Sequence, residues 1–259
     1  MEKRSSFQIQ LAVINALISR ELKTRFGQYR LGIAWAFLEP IIGISIFMVM
    51  FHFRGMSAVG GLDAPVFLAL GMGPLTFFTK VINQCMTAVG ANKNLLIYRQ
   101  VRVFDFFWTR FILEAVVSLI VLVSIFVAMW WMGFDITVNN TLKFVLVFSL
   151  LAFLGFGVGL AFGVINTIFP EPGKFLPVLM RPLMFISATF FSINEIPVAA
   201  QDYLLWNPLV HAFELMRSCF SESYNVSLVS LEYLGLCSLV VMTIGMIMFR
   251  ANWRKMLTI

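Results

Sequence analysis

Few side chains in this 259-residue sequence combine a reactive type with a telling position, and most are charges set inside apolar runs. Arg20, Lys23, Arg25 and Arg30 crowd the approach to an apolar stretch that begins at Leu31. Glu39 then lies eight residues in, about 12 Å along a helix at 1.5 Å per residue, with Pro40 directly behind it. A carboxylate at that depth in a bilayer costs about 2.5–3.5 kcal/mol unless it is paired or hydrated. Glu39 is therefore expected to face the bundle interior and to pair with Arg30, Arg110 or Arg181, the basic residues at similar depth, or to be a charge that only fixes helix packing. Pro40 frees the carbonyl of Ala36 and kinks the helix. Arg110 and Glu114, at i and i+4, are expected to satisfy each other.

Other chemistry is poorly provided for. The two histidines, His52 and His211, are far apart, and Cys85, Cys219 and Cys237 have neither metal-ligand spacing nor an obvious pairing. No metal site is expected. No P-loop, GxSxG or HExxH pattern occurs, so no motif here hydrolyses ATP. A membrane-embedded enzyme would need converging polar groups, and a secondary transporter would need internal repeats and ion ligands at mid-depth. Neither pattern is found.

The elements that must carry these charges follow from composition. The chain is 60% hydrophobic and 12% charged, against about 25% charged in a soluble domain. That composition describes an integral membrane protein. The net charge of +6 reads as membrane orientation rather than nucleic-acid binding, because the basic residues cluster at the ends of apolar runs. Nothing before Leu31 reads as a cleavable signal peptide. A span needs about 20 mostly apolar residues, and six segments qualify, near residues 31–53, 64–81, 107–132, 144–169, 175–193 and 228–249. With a cytoplasmic N-terminus, only Arg54, Lys143 and Arg217 of the 19 Lys and Arg fall in outer connections. Lys80, Arg110 and Arg181 lie near helix ends, and all the others fall inside. Both termini are thus expected in the cytoplasm.

Three further segments stand out. In residues 7–26, Phe7, Leu11, Ile14, Ile18 and Leu22 recur at helical spacing, which predicts an amphipathic helix in the membrane interface or a plain basic anchor. The connection over residues 91–105 is too polar to span. It predicts a short helix exposing Leu95, Leu96 and Tyr98 for docking to a cytoplasmic partner, or a loop lying on headgroups. The outer connection holds two apolar pieces broken at Asn207-Pro208, each too short to cross. They predict re-entrant half-helices over 197–206 and 209–220, or two helices lying on the surface. In the fourth span, Gly155, Gly159 and Gly163 make a small-residue face for close helix packing, in the same chain or another.

The strings "RELKTRFGQYRLGIAWAFLEP" (Arg20–Pro40), "NLLIYRQVRVFDFFWTRFILE" (Asn94–Glu114), "FPEPGKFLPVLMRPLMFIS" (Phe169–Ser187), "LLWNPLVHAFELMR" (Leu204–Arg217) and the terminal "KMLTI" carry a family likeness in register. Over essentially its full length the sequence resembles ABC-2 type permeases, and within them the KpsM-type permeases of group 2 capsular polysaccharide export. The resemblance implies an all-α, six-span fold with an N-terminal interface helix (residues 1–30 with the basic anchor) preceding a transmembrane domain over 31–259. It implies a coupling helix over 91–101, using Asn92, Leu95, Leu96, Tyr98 and Arg99. The outer gate over 197–220 would use Trp206, Asn207, Pro208, His211, Glu214 and Arg217.

It further implies a homodimer in the bacterial inner membrane, completed by two copies of a separate ATP-binding subunit. The chain would hold no cofactor of its own; ATP and magnesium would sit on that partner. A channel between protomers would pass an acidic, lipid-linked polysaccharide onward to a periplasmic co-polymerase-type adaptor and an outer-membrane export channel. Candidate path residues are Arg30, Glu39, Arg181 and the aromatic Phe47, Phe51, Phe185 and Phe190. Arg20, Lys23, Arg25, Arg30 and Arg181 would attract the polymer by their field. The near alternative is an ABC-2 exporter of O-antigen, teichoic acid or a small hydrophobic compound.

Overall fold

Apolar runs of these lengths can satisfy their backbone in a membrane only as helices, and the computed structural model describes the protein in those terms. It covers residues 5–26, 32–53, 55 and 58–258. Helix α1 (Ser6–Phe26) precedes α2 (Gly32–Phe53), and a hairpin of β1 (Ala58–Val59) and β2 (Leu62–Asp63) leads into α3 (Ala64–Met86). Next come α4 (Ala88–Asn92), a 3₁₀ turn (Lys93–Ile97), α5 (Val103–Trp131), α6 (Thr141–Ile168) and α7 (Pro172–Ile186). A second 3₁₀ turn (Ile193–Glu195), α8 (Val198–Leu204), α9 (Pro208–Arg217) and α10 (Leu231–Thr258) complete the order.

Among the described residues, α2, α3, α5, α6 and α10 are long and apolar enough to cross a membrane. The expected fifth span, 175–193, is helical only through Ile186. At 15 residues α7 is about 22 Å long, short of the ~30 Å hydrocarbon core. Pro177 and Pro182 lie inside it, and just past its end Ala188 takes a left-handed φ of 55°, which stops the helix. Chain geometry, not loss of hydrophobicity, shortens this element.

α3 is the axis of the core: Val66 to Leu70 are fully buried, as are Phe77, Val81, Ile82 and Cys85. α6 packs between α3 and α10, and its glycines explain how. A Cβ on Gly159 would lie 2.9 Å from Cys85 Cβ of α3. One on Gly157 would lie 2.7 Å from the Met242 backbone nitrogen of α10. The small-residue face therefore serves packing inside this chain, where close backbone approach maximises dispersion contact.

The connections depart from expectation in two places. The segment 91–101 is not one helix. α4 ends at Asn92, whose side chain donates back to the Ala88 carbonyl at 2.9 Å, and the chain tightens to 3₁₀ and then turns at Tyr98. In the outer connection the two half-helices differ. Leu209 through Arg217 of α9 are all buried, whereas α8 has no buried residue.

The α6 packing yields a direct stability test. Gly157→Val must displace α10 backbone, so overpacking is expected to destabilise the protein by about 1–3 kcal/mol and lower its melting temperature in detergent. Gly235→Ala on α10, whose added Cβ meets nothing within 4 Å, should leave the melt unchanged.

Candidate coupling junction and translocation surface

At the end of the bundle where α1, α4 and α5 meet, polar side chains rather than apolar ones make the principal connections. The face of α1 turned to the bundle reads Gln10, Val13, Leu17, Glu21 and Arg25, at helical spacing; Leu17 is its one buried residue among those described. Glu21 Oε1 accepts from Arg110 Nε of α5 at 3.0 Å and from Asn92 Nδ2 of α4 at 3.1 Å. Arg20 Nη1 donates to Asn92 Oδ1 at 2.5 Å. Arg110 also donates to the Gln84 carbonyl (2.9 Å) and the Thr87 hydroxyl (2.7 Å), where α3 gives way to α4. Arg25 forms an ion pair with the buried Glu114 at 2.7 Å.

The expected Arg110–Glu114 pair is thus replaced by two pairs reaching to α1. A buried charge gains more from a partner docking from outside with open geometry than from a neighbour along its own helix, where pairs contribute only about 0.2–0.5 kcal/mol. Flanking that face, Phe7 and Leu11 are exposed, and Leu22 partly so, as an interface helix requires.

The expected coupling residues divide. Asn92 is buried and belongs to this junction. Leu95 and Leu96 are half-buried against the core, not exposed as expected. The exposed side chains of this turn are instead Ile97, 83% exposed, with Tyr98 and Arg99 beside it.

Glu39 lies at the surface of the chain, not in its interior, and pairs with Lys80 Nζ of α3 at 2.6 Å. Arg110 is committed to Glu21, Arg181 is exposed on α7 without a partner among the described residues, and Arg30 lies outside the described residues. A lysine reaches Glu39 because its long stem extends from the neighbouring helix. Phe47 of α2 stacks on Phe190 at a centroid distance of 4.0 Å, and Phe185 at the end of α7 lies 5.8 Å from Phe190. Phe51 is 2% exposed and packs in the core, so it cannot line a path.

At the other end of the molecule Arg217 is fully buried. Its Nη1 donates to the Ala188 carbonyl at 2.8 Å and to Glu214 Oε1 at 3.1 Å, and Nη2 donates to the Thr189 carbonyl at 2.8 Å. The guanidinium lies 3.5 Å over the Phe67 ring, a desolvated cation–π contact. A planar fork can hold several carbonyls past the end of α7 together with a carboxylate, which a point charge cannot. Glu214 also accepts from Tyr224 Oη at 2.9 Å. Burial pushes its carboxyl above the usual range against the opposing pull of Arg217 and Tyr224.

Asn207 caps α9 through the Leu209 N–H (3.0 Å) and donates to Ser187 Oγ (3.0 Å), so one residue joins α9 to the end of α7. Pro208 takes the first helical turn, where its missing N–H costs nothing. His211 accepts from the Ser230 N–H at Nδ1 and reaches the Leu205 carbonyl with Nε2. Burial lowers its pKa, in keeping with a neutral ring carrying its proton on Nε2. Trp206 is 82% exposed, and its side chain points away from this cluster of buried groups. Among the described residues no group of His, Cys, Asp and Glu could hold a metal.

Residues 12–221 match the ABC-2 type transporter family. The chain belongs to that family. As an ABC-2 chain it is 38% identical to the polysialic acid transport protein KpsM of Escherichia coli over 255 residues, covering 98% of this chain and 99% of that protein. It is 29% identical to the capsule polysaccharide export inner-membrane protein BexB of Haemophilus influenzae, covering 97% and 95%. To the inner-membrane protein CtrC of Neisseria meningitidis serogroup B it is also 29% identical, covering 94% and 92%.

Sequence reasoning missed Glu21, Lys80 and Tyr224. Glu21 carried a signal, since it lies at helical spacing from Leu17 and Arg25 and is the one acid of an otherwise basic helix. Lys80, inside an apolar run of α3, was legible as a charge at membrane depth needing a partner. Tyr224 carried none.

For this ABC-2 chain the Arg217 cluster gives a sharp expectation. Arg217→Met leaves Glu214 buried without its cation, and such breaks cost about 3–5 kcal/mol. The variant is expected to melt markedly lower in detergent, and Arg217→Lys should recover only part of the loss.

Proposed function

We propose that this chain is the membrane-spanning permease subunit of an ATP-driven exporter that moves capsular polysaccharide from cytoplasm to periplasm across a bacterial inner membrane. The observation that carries the reading is the 38% identity, along almost the whole of both chains, to a polysialic acid transport protein. A separate ATP-binding subunit, in two copies, would hold ATP and magnesium and hydrolyse the nucleotide. The excess of Lys and Arg at the end bearing α1 and α4 supports placing that end, and both termini, in the cytoplasm.

Ile97, Tyr98 and Arg99 would meet the ATPase. Closure of the ATPase dimer would then favour one of two arrangements of the bundle. The Asn92–Glu21–Arg110 junction supports this, because displacement of α4 reaches α1 and α5 through the same side chains.

Two protomers would meet along α2 and α7 and enclose the path. The Glu39–Lys80 pair lies on the chain's surface, and charges facing lipid at that depth are costly. A protein-walled, hydrated path would relieve that cost. Arg181, exposed one turn before Phe185 of the Phe185–Phe190–Phe47 ladder, would suit an acidic, lipid-linked glycan together with those rings. An adaptor of the co-polymerase type and an outer-membrane channel would take the chain onward.

Deleting the gene in its host tests the reading. Loss of surface capsule with polymer accumulating in the cytoplasm is the expected result. An unchanged capsule would overturn the substrate assignment and move it to another glycan or a small hydrophobic compound.

A further inference from the structure

Between α1, α5 and α10 lies a crevice of about 740 Å³, on none of the surfaces assigned above. Ile14, Phe104, Trp108, Met246, Phe249 and Trp253 wall it, and Arg102 and Arg250 also line it. Phe104 meets Phe249 edge-on at 5.4 Å, forming a continuous aromatic wall between α5 and α10. Both arginines are exposed, and neither guanidinium has a hydrogen bond or ion pair at contact distance among the described residues. The carboxylate in the lining, Asp105, is buried and already held by the Gln10 side chain and the Arg102 backbone N–H.

The order along the groove matters. Arg102 precedes the first turn of α5, and Trp108 lies six residues deeper, about 9 Å along the helix. Met246 likewise precedes Arg250 by one turn on the membrane side of α10. A cationic mouth thus leads into an apolar, aromatic interior. That profile fits an amphiphile with an anionic head and an alkyl tail, not a free anion. Basic pockets between spanning helices are known receptors for acidic headgroups, and tryptophans sit at headgroup level.

We propose that the α1–α5–α10 groove binds an acidic phospholipid, its phosphate at Arg102 and Arg250 and one acyl chain along Phe104, Trp108 and Met246. The lipid would join α1 to α10 as Gln10 joins α1 to α5. This holds whatever substrate the exporter carries and whichever side of the membrane the groove faces.

The test is native mass spectrometry of the full-length protein in mild detergent, titrated with phosphatidylglycerol or phosphatidylcholine of matched chains. Phosphatidylglycerol is expected to bind roughly thirty-fold more tightly, from about 1 kcal/mol per basic residue. R102Q/R250Q should abolish the preference, and R102K/R250K should retain most of it. Equal binding of the two lipids, or a preference unmoved in R102Q/R250Q, overturns the proposal. So does displacement of the lipid by inorganic phosphate alone, which would mark a free-anion site. A change in the number of protein chains instead of bound lipid would assign the groove to a second copy and equally overturn it.

Discussion

A single carboxylate, Glu21, holds three elements together. It takes the Arg110 guanidinium of α5 and the Asn92 amide of α4 on one oxygen, while the described side chains of its own helix include one buried apolar group, Leu17. Hydrophobic burial at about 25 cal/mol per Å² therefore does little to dock α1. Ionic hydrogen bonds do, and they are directional: they fix the register of α1 on the bundle, where an apolar contact would tolerate sliding. Removing Glu21 leaves the charge of Arg110, only 8% exposed, with neutral acceptors alone, and unpairing a buried charge costs far more than the pair contributes in net. The junction is thus well suited to exist in one arrangement or another, but not in between.

The remainder of the fold divides by stiffness. α3, α6 and α10 form a spine in which backbones approach over glycine, and close-packed interiors of this kind transmit displacement instead of absorbing it. The Glu21 junction sits at one end of that spine. At the other end Arg217 ties α9 to the residues following α7, and Phe67 of α3 closes the contact. α2 and α7 lie outside the spine with broad exposed faces, and α7 is kept short by its prolines and by Ala188. An ABC-2 chain built this way has a rigid body joined to a less constrained flank, with charged side chains on that flank.

Much of this was legible in the sequence because it depends on period and length. The long apolar runs gave the spanning helices, the stripe in residues 7–26 gave α1, and Asn207-Pro208 marked the start of α9. The small-residue face of α6 was readable as packing, though not its partners. What escaped depends on reach across helices. Glu39 met Lys80, not an arginine, and Arg110 and Glu114 both turned from each other to α1, because side-chain partners are set by which helices pack, which no spacing rule encodes. Phe51 was buried for the same reason. α8 and α9 look alike in hydrophobicity, yet only α9 is enclosed, since Arg217 and Glu214 give it polar anchors inside the core. The 91–101 segment failed as a helix because Asn92 bonds its own preceding turn.

The central claim is that the Glu21–Arg110 contact couples α1 to the bundle during export. The most direct measurement is a charge-exchange cycle in the host, scoring surface capsule for Glu21→Arg, Arg110→Glu and the two combined. Each single variant is predicted to lose export, and the combined variant to regain a substantial part of it at matched protein levels. Full export in the single variants, or no recovery in the combined one despite normal amounts of folded protein, would contradict the claim.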